Sequence, residues 1–236
     1  GSYLLAVTGT GTSGPVTYRF QTSLTAEAPV TPAGFGSTQS ISIAAGEQKV
    51  YHFSGAAGTA VVLDVLAPFA ASLISEIRGP ANQFVANASG SNDTAVAVLP
   101  VSGDYELRVR GNNASATGTL TFRLLNLTDD ATPLAPGETA GEILPAGATA
   151  AFRVSLAAGQ RLYYDALDAG SDNVTVQFVA PSDAVLQNAN SDSDWQQSPV
   201  RESGDYFLMV RNNLTTDADY RFRLIDPDAA PLAAWG

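Results

Sequence analysis

"SGDYELRVRG" at residues 102–111 returns as "SGDYFLMVRN" at residues 203–212. In the first copy Tyr105, Leu107 and Val109 alternate with charged residues, a period of two that is typical of a strand with one buried face. The Ser-Gly-Asp that opens each copy is typical of a turn. The stretch therefore predicts a β-strand that occurs twice and begins from the same kind of turn.

The repetition extends well beyond this strand, at a constant separation of 101 residues. Only the last strand shifts by one position, since "TFRL" at 121–124 is followed by "RFRL" at 221–224. A period of this length predicts tandem structural modules. The matched pairs include Gly58 with Gly159, Asp64 with Asp165, Pro80 with Pro181, Asn87 with Asn188, and Asp93 with Asp194.

Both ends of the chain match parts of the same unit, because "GSYLLAV" resembles the repeated strand and "DAAPLA" at 228–233 repeats "DATPLA" at 130–135. The chain is therefore interpreted as a segment of a longer array, with a genuine mature terminus at Gly1 as the alternative. The predicted divisions are the last hairpin of a preceding repeat at 1–24, β-sandwich repeats at 25–127 and 128–227, and the start of a further repeat or a linker at 228–236.

The hairpin at 1–24 has no core of its own, because an isolated two-stranded ribbon is marginal in water. We expect it to pack on a neighbouring module or chain. The side chains that such packing would bury are Tyr3, Leu5, Tyr18 and Phe20.

Strand signals dominate each copy, and no sustained helical period is present. Seven or eight short strands with frequent turns are typical of a β-sandwich. The predicted fold is all-β, with tandem jelly-roll-like β-sandwich modules of about 100 residues.

Composition excludes several classes of function. The net charge is −11, from 23 acidic and 12 basic residues, and such a surface repels nucleic acid. The absence of cysteine excludes disulfides, zinc-thiolate sites and thiol nucleophiles. No stretch approaches the roughly 18 consecutive apolar residues of a membrane span, so none is predicted.

A catalytic site is not predicted, and the chain is expected not to be an enzyme. His52 is the only histidine, and its counterpart in the second copy is Arg153. A Ser-His-Asp arrangement needs a base held by an acid next to a nucleophile, which a lone histidine does not supply. His52 is therefore interpreted as a surface residue.

Two polar loops, "NASGSNDT" at 87–94 and "NANSDSDW" at 188–195, are the candidates for a metal site. Their side-chain oxygens are of the kind that calcium prefers, although they do not follow the EF-hand spacing. The same residues are common in ordinary tight turns, and this second interpretation is favoured. No cofactor is predicted beyond this calcium alternative, whose candidate ligands are Asn87, Asp93, Asn188, Asp192 and Asp194.

Four other residues have two interpretations each. Asp64 and Asp165 lie within apolar strands, where the alternation favours the solvent face over a cation ligand. Trp195 and Trp235 could stack on sugars, but Trp195 replaces Thr94 of the other copy. For Trp235, burial between copies is the simpler interpretation.

The order of motifs resembles the bacterial pre-peptidase C-terminal domain family. The resemblance runs through "VYHFSGAAGTAVVLDVL", "RGPANQ", "SGDYELRV" and "TFRL", and more closely through "AFRVSLAAGQRLYYDAL", "VAPSDAVLQ", "SGDYFLMVRN" and "YRFRL". It implies a jelly-roll-like sandwich appended to secreted proteases and surface proteins, hence export and an accessory role. Some relatives bind calcium or collagen, but their acidic calcium-binding segment has no clear counterpart here.

The sequence thus predicts a non-catalytic structural segment of a large extracellular or cell-surface protein, acting as a stalk, spacer or filament module. Its predicted partners are neighbouring repeats, including self-assembly into a filament. The alternative is an accessory binding module, for a matrix protein, a polysaccharide or calcium-dependent adhesion, of a secreted protease or adhesin.

Overall fold

The computed structural model describes residues 6–8, 14, 17–19, 34–168 and 173–229. Within them the regular secondary structure is nearly all β-strand, as predicted from the period of two. The exceptions are one short α-helix, α1 (Leu127–Asp130), and a single 3-10 turn at Pro80–Asn82.

The first half of the described chain forms two four-stranded antiparallel sheets, with strand orders β1-β8-β3-β6 and β2-β7-β4-β5. Their inner faces share one core, in which the Tyr51 ring meets the Phe122 ring edge-on at 5.8 Å between centroids. The strands are β1 (Gln39–Ile43), β2 (Gln48–Gly55), β3 (Ala60–Leu66), β4 (Ala70–Arg78), β5 (Phe84–Gly90), β6 (Ala97–Val98), β7 (Gly103–Gly111) and β8 (Gly118–Asn126).

The second half also forms two sheets, with orders β10-β17-β12-β15 and β14-β13-β16-β11-β9. Phe152 and Phe222 meet edge-on across this second core, with ring centroids 5.4 Å apart. The strands are β9 (Thr132–Pro133), β10 (Thr139–Leu144), β11 (Thr149–Leu156), β12 (Leu162–Ala166), β13 (Val174–Val179), β14 (Val185–Asn190), β15 (Trp195–Gln197), β16 (Gly204–Asn212) and β17 (Ala218–Ile225).

The two halves have the same topology. Replacing each strand of the first half by its sequence counterpart reproduces both strand orders of the second half, with β9 added at one edge, where it pairs in parallel with β11. The chain therefore contains two equivalent β-sandwiches in tandem, which we call the first module and the second module.

In the first sandwich, the side chains of the repeated Ser-Gly-Asp-Tyr motif connect the start of β7 to β2 and to the preceding turn. The Ser102 hydroxyl accepts a 2.9 Å hydrogen bond from the backbone N–H of Ala57, in the turn after β2. Asp104 accepts a 2.8 Å bond from the Ser54 hydroxyl, and the Tyr105 hydroxyl donates to the Val101 carbonyl at 2.6 Å. A buried tyrosine bonded to the backbone a few residues upstream is a known lock of β-sandwich corners.

The second module repeats these contacts at matched positions. Ser203 accepts from the Ala158 N–H at 2.9 Å, and the Tyr206 hydroxyl donates to the Glu202 carbonyl at 2.7 Å. The carboxylate of Asp205 accepts from a serine hydroxyl of β11 at 2.5 Å. The motif that signals the repeat in the sequence is therefore a structural lock.

Glycine is required in this motif because the chain passes close to a matched proline. A Cβ atom on Gly103, whose φ is +157°, would lie 2.6 Å from Cγ of Pro80. A Cβ atom on Gly204, with φ of +151°, would lie 2.9 Å from Cγ of Pro181. Both the conformation and the space therefore favour glycine at these positions.

The predicted N-terminal hairpin is not found in the residues that the structure describes. Residues 6–8 and 17–19 are not in strands, and the side chains of Val7 and Tyr18 are 51% and 59% exposed. Of the four side chains that packing was expected to bury, Tyr18 is described, and its predicted burial is not found. Tyr3, Leu5 and Phe20 lie outside the described residues, and so does most of the segments assigned to 1–24 and 228–236.

Replacing the motif glycine by alanine should destabilise either module. We expect Gly103→Ala and Gly204→Ala each to lower the free energy of unfolding by about 1–3 kcal/mol, because the new methyl group overlaps a proline ring. Urea unfolding measures this. Gly34→Ala is the control, since its Cβ would be 3.9 Å from the nearest atom, and an equal loss there would contradict the explanation.

Candidate functional site

The two modules pack against each other through one outer face of each sandwich. We call this contact the module junction. Its apolar part consists of buried residues from the β1-β8-β3-β6 sheet and α1 of the first module and from β13 and β16 of the second. They are Ala60, Val62, Val96, Leu125, Leu127 and Ala131 on one side, and Val179, Phe207 and Met209 on the other.

The junction explains why two strands are apolar on both faces. In β3, Val61 and Leu63 point into the core of the first module, whereas Val62 points into the junction. In β16, Phe207 and Met209 point into the junction and alternate with core residues. A strand buried on both faces has a continuous apolar run in place of alternation.

The contrast between the two copies of the opening motif is the signal that sequence reasoning missed. "YELRV" alternates, whereas "YFLMV" is apolar at all five positions. Phe207 and Met209 replace Glu106 and Arg108 of the first copy. This difference identifies β16 as a strand with a second buried face, and hence as part of an interface.

Asp64 corrects a second expectation. Its predicted position was the solvent face of the sheet, but its side chain is fully buried and accepts a 2.7 Å hydrogen bond from Nε of Arg123. Its counterpart Asp165 pairs with Arg223 in the same way at 3.0 Å and is 19% exposed. Asp64 does lie on the outer face, but the second module covers that face.

Asp93 connects the modules directly. It forms an ion pair with Arg211 of the second module, and the two side chains are only 13% and 12% exposed. One carboxylate oxygen also accepts from the N–H of Val65 at 2.8 Å, and the other accepts from the hydroxyl of Thr149 at 2.7 Å. The 87–94 loop is thus fixed both to its own sandwich and to the next one.

The charges at the junction balance, with two carboxylates and two guanidinium groups. Burial raises the pKa of Asp64, and the neighbouring Arg123 and Arg211 oppose this shift. Burial lowers the pKa of Arg211, and Asp64 opposes that shift. Removing one partner would leave an uncompensated charge in a site with little water, which costs more than the pair itself contributes.

Backbone contacts extend the junction along its length. Arg123 donates to the carbonyl of Thr149 at 3.1 Å, and Arg153 donates to the carbonyl of Thr128 at 2.7 Å. Beyond the sheets, the N–H of Ala67 donates to the carbonyl of Ala146 at 3.2 Å. The contact therefore combines apolar packing, buried ion pairs and hydrogen bonds.

The carboxylates of the candidate calcium loops are already satisfied by hydrogen-bond donors. Asp194 accepts from the N–H of Ala166 at 2.8 Å and from the Tyr163 hydroxyl at 2.7 Å, and these bonds hold its pKa below the usual value. Asp192 accepts from the neighbouring serine hydroxyl at 3.2 Å. Among the described residues, no three His, Cys, Asp or Glu side chains are grouped for a metal ion.

The remaining metal candidates lie on strands of different modules. Asn87 and Asn188 are exposed on β5 and β14. Asn188 does line, together with Asp93, a groove of about 340 Å³ that runs along the junction. The side chains of Thr175 and Gln177 add neutral hydrogen-bonding groups to the groove.

His52 and Trp195 have positions in the strands that do not indicate a functional site. His52 is exposed and lies opposite Glu106 in the β2–β7 pair. Trp195 is 9% exposed and stacks on Tyr164 at 5.1 Å between ring centroids, so it cannot act as a sugar platform. Trp235 lies outside the described residues.

No helix in the described ranges combines the length and the apolar character needed to cross a membrane. No protein-family model and no curated protein matches the chain. The resemblance to the pre-peptidase C-terminal family therefore stays a prediction.

Similar solved structures share only distant likeness. The periplasmic inhibitor of g-type lysozyme from Aeromonas hydrophila, PliG, is 16% identical, with a TM-score of 0.34 over 42% of this chain and 94% of that chain. The CUB1-EGF-CUB2 region of human MASP-1/3 is 11% identical, with a TM-score of 0.27 over 80% and 99% of the two chains. The same region of rat MASP-1 is 8% identical, with a TM-score of 0.25 over 80% and 97%.

Removing the junction arginine should destabilise the protein strongly. We expect Arg211→Ala to lower the free energy of unfolding by about 3 kcal/mol or more, because it leaves Asp93 buried without its partner. Arg110→Ala is the matched control, since Arg110 holds the same repeat position but is exposed, and should change stability by at most about 0.5 kcal/mol. Equal effects of the two variants in urea unfolding would contradict a special role for Arg211.

Calcium should not stabilise the protein. Because the oxygens of Asp93 and Asp194 already accept N–H and O–H bonds, we expect the same melting temperature with calcium and with EDTA. Scanning calorimetry at constant ionic strength measures this, with magnesium as the control for charge screening. A melting temperature that rises with calcium but not with magnesium would support the metal interpretation of these loops.

Proposed function

We propose that this chain is a non-catalytic structural segment of a large extracellular or cell-surface protein, in which it acts as a stiff spacer. The observation that carries the proposal is the module junction. It joins two equivalent sandwiches by their outer faces and buries charged as well as apolar side chains between them.

Stiffness is the property that such a junction provides. Domains in one chain move relative to each other by default, unless the contact between them is large and apolar. Here the apolar cluster is accompanied by the ion pair of Asp93 and Arg211, which any bending that separates the modules would have to break. In a tandem array, nearest-neighbour contacts of this kind set the stiffness of the whole.

The connection between the modules is itself ordered. The side chain of Asn126 accepts from the N–H of Thr128 at 3.1 Å, and its own N–H donates to Asp130 at 2.8 Å. These bonds cap α1 at its N-terminus, where Asp129 and Asp130 also suit the helix dipole. The link is therefore short and held in one conformation.

The proposal assigns no catalytic role to the chain, and the contacts of its polar side chains support this. The acids of the motifs and loops are engaged in structural hydrogen bonds and ion pairs, and His52 is an exposed strand residue. The extracellular location rests on the resemblance to the pre-peptidase C-terminal family. The net charge of −11 would keep such a segment soluble.

A second candidate function is an accessory binding module. The groove along the junction supports it, because Thr175, Gln177 and Asn188 offer neutral hydrogen-bonding groups beside apolar Val185 and Met209. Asp93 and Arg211 also line the groove, so its polar lining can hydrogen-bond the hydroxyl groups of a polysaccharide. The groove occurs at the junction and uses residues of both modules, so it would also depend on the fixed arrangement.

The spacer proposal predicts a narrow distribution of distances between the modules. The chain has no cysteine, so spin labels can be placed at Asn87→Cys and Asn190→Cys, which are exposed on different modules. Pulsed EPR should give one distance as narrow as that of a reference pair within the second module, Ala135→Cys and Asn190→Cys.

Adding Arg211→Ala should broaden the distribution between the modules and leave the reference pair unchanged. A broad distribution in the unaltered junction would refute the stiff spacer. That result would concern only the arrangement of the modules and would say nothing against the fold of each sandwich.

A further inference from the structure

The second module carries an outer face that corresponds to the first module's side of the junction. We call it the tail face, and it lies on the β10-β17-β12-β15 sheet. It repeats the charged positions of the junction, with Asp165 for Asp64, Arg223 for Arg123 and Asp194 for Asp93. Here Asp194, Arg223 and 70% of the Ile143 side chain are exposed, and Asp165 is 19% exposed beside Arg223.

The first module carries the face that corresponds to the second module's side of the junction. We call it the head face, and it lies on the β2-β7-β4-β5 sheet. Arg110 holds the position that Arg211 holds at the junction, and Gln48 holds the position of Thr149. Arg110 is exposed, and its guanidinium group donates to the carbonyl of the adjacent Gly111 at 3.2 Å.

The charged positions of the two faces are complementary in the same way as those of the junction. At the junction, Arg211 of one module meets Asp93 of the other beside Asp64. If the tail face docked on the head face with the same geometry, Arg110 would meet Asp194 beside Asp165. Such pairing of opposite charges sets the register of an interface and excludes wrong partners.

The apolar positions have changed on both faces together. Where the junction has Val62 on one side and Met209 on the other, the tail face has Tyr163 and the head face has Arg108. A guanidinium group stacks favourably on a tyrosine ring. The pair of Tyr163 and Arg108 that replaces these two apolar residues is thus still attractive.

We propose that the tail face of one chain binds the head face of a second copy of this chain, with the arrangement of the module junction. The contact is heterologous, so every bound chain presents a free head face and a free tail face, and assembly continues into a filament unless the rotation closes a ring. This inference rests on the proposed spacer function, because it takes its geometry from the junction.

This contact is weaker than the junction that it imitates. It replaces buried apolar residues by exposed ones, and exposed ion pairs contribute little and are screened by salt. Arg108 and Arg223 also pair within their own modules, with Glu106 and Asp165. We therefore expect reversible association that strengthens with protein concentration and weakens with salt.

Two charge reversals test the proposal, one on each face. Arg110→Glu alters only the head face, and Asp165→Arg alters only the tail face. By sedimentation velocity at low salt, the unaltered chain should form a concentration-dependent series of oligomers. Each single variant should associate about tenfold or more weakly. A mixture of the two variants should form heterodimers, because one intact tail face meets one intact head face.

Controls separate folding and net charge from the contact itself. Arg201→Glu changes the charge equally in the loop before β16, where Arg201 is exposed, and should associate like the unaltered chain. Circular dichroism and melting temperature confirm that each variant is folded.

The proposal is overturned if the unaltered chain stays monomeric up to roughly millimolar concentration at low salt. It is also overturned if the mixed variants fail to form heterodimers, or if Arg201→Glu weakens association as much as Arg110→Glu. None of these outcomes affects the EPR distances within one chain, so the spacer function and the association between chains fail independently.

Discussion

The ion pair of Asp93 and Arg211 is the constraint on which the arrangement of the two modules depends. Apolar packing alone has no direction, so the cluster around Val62 and Met209 would tolerate sliding of one sheet face over the other. The ion pair does not tolerate it, because Asp93 is also held by the N–H of Val65 and the hydroxyl of Thr149. Apolar burial thus provides the attraction, and the charges fix the register.

The Ser-Gly-Asp-Tyr motif and the junction have separate tasks. The motif acts within a sandwich, where its serine, aspartate and tyrosine bind the same backbone or hydroxyl partners in both copies. It can therefore be repeated without change. The outward positions of the same strand do not take part in that lock, and they differ between the copies according to what each face contacts. The equivalent strands β7 and β16 therefore share the residues of their inner faces and differ in those of their outer faces.

The sequence was sufficient for the fold but not for the site. The alternation around Tyr105 and the turn residues predict the strands and the repeat, because these are local properties of the chain. Alternation also assigns Asp64 correctly to the outer face. It does not tell which outer faces are covered, because that depends on residues far along the chain, such as Arg211, which interacts with Asp64. In the sequence, the apolar residues Phe207 and Met209 indicate that the outer face of β16 is buried.

Phe207 and Met209 stand in the second module where the first has Glu106 and Arg108. Because of this difference, the two modules cannot exchange places without changing the junction. If the two halves were exchanged by circular permutation, the apolar face of β16 would stand at the free end, exposed to solvent, and the charged face of β7 would be pressed into the internal joint. The molecule would then carry an apolar free end, and its internal joint would lack the buried apolar residues of β16. The outward residues of β7 and β16 therefore give the order of the modules a direction, and a transposed module would need its outward positions changed to fit its new neighbour.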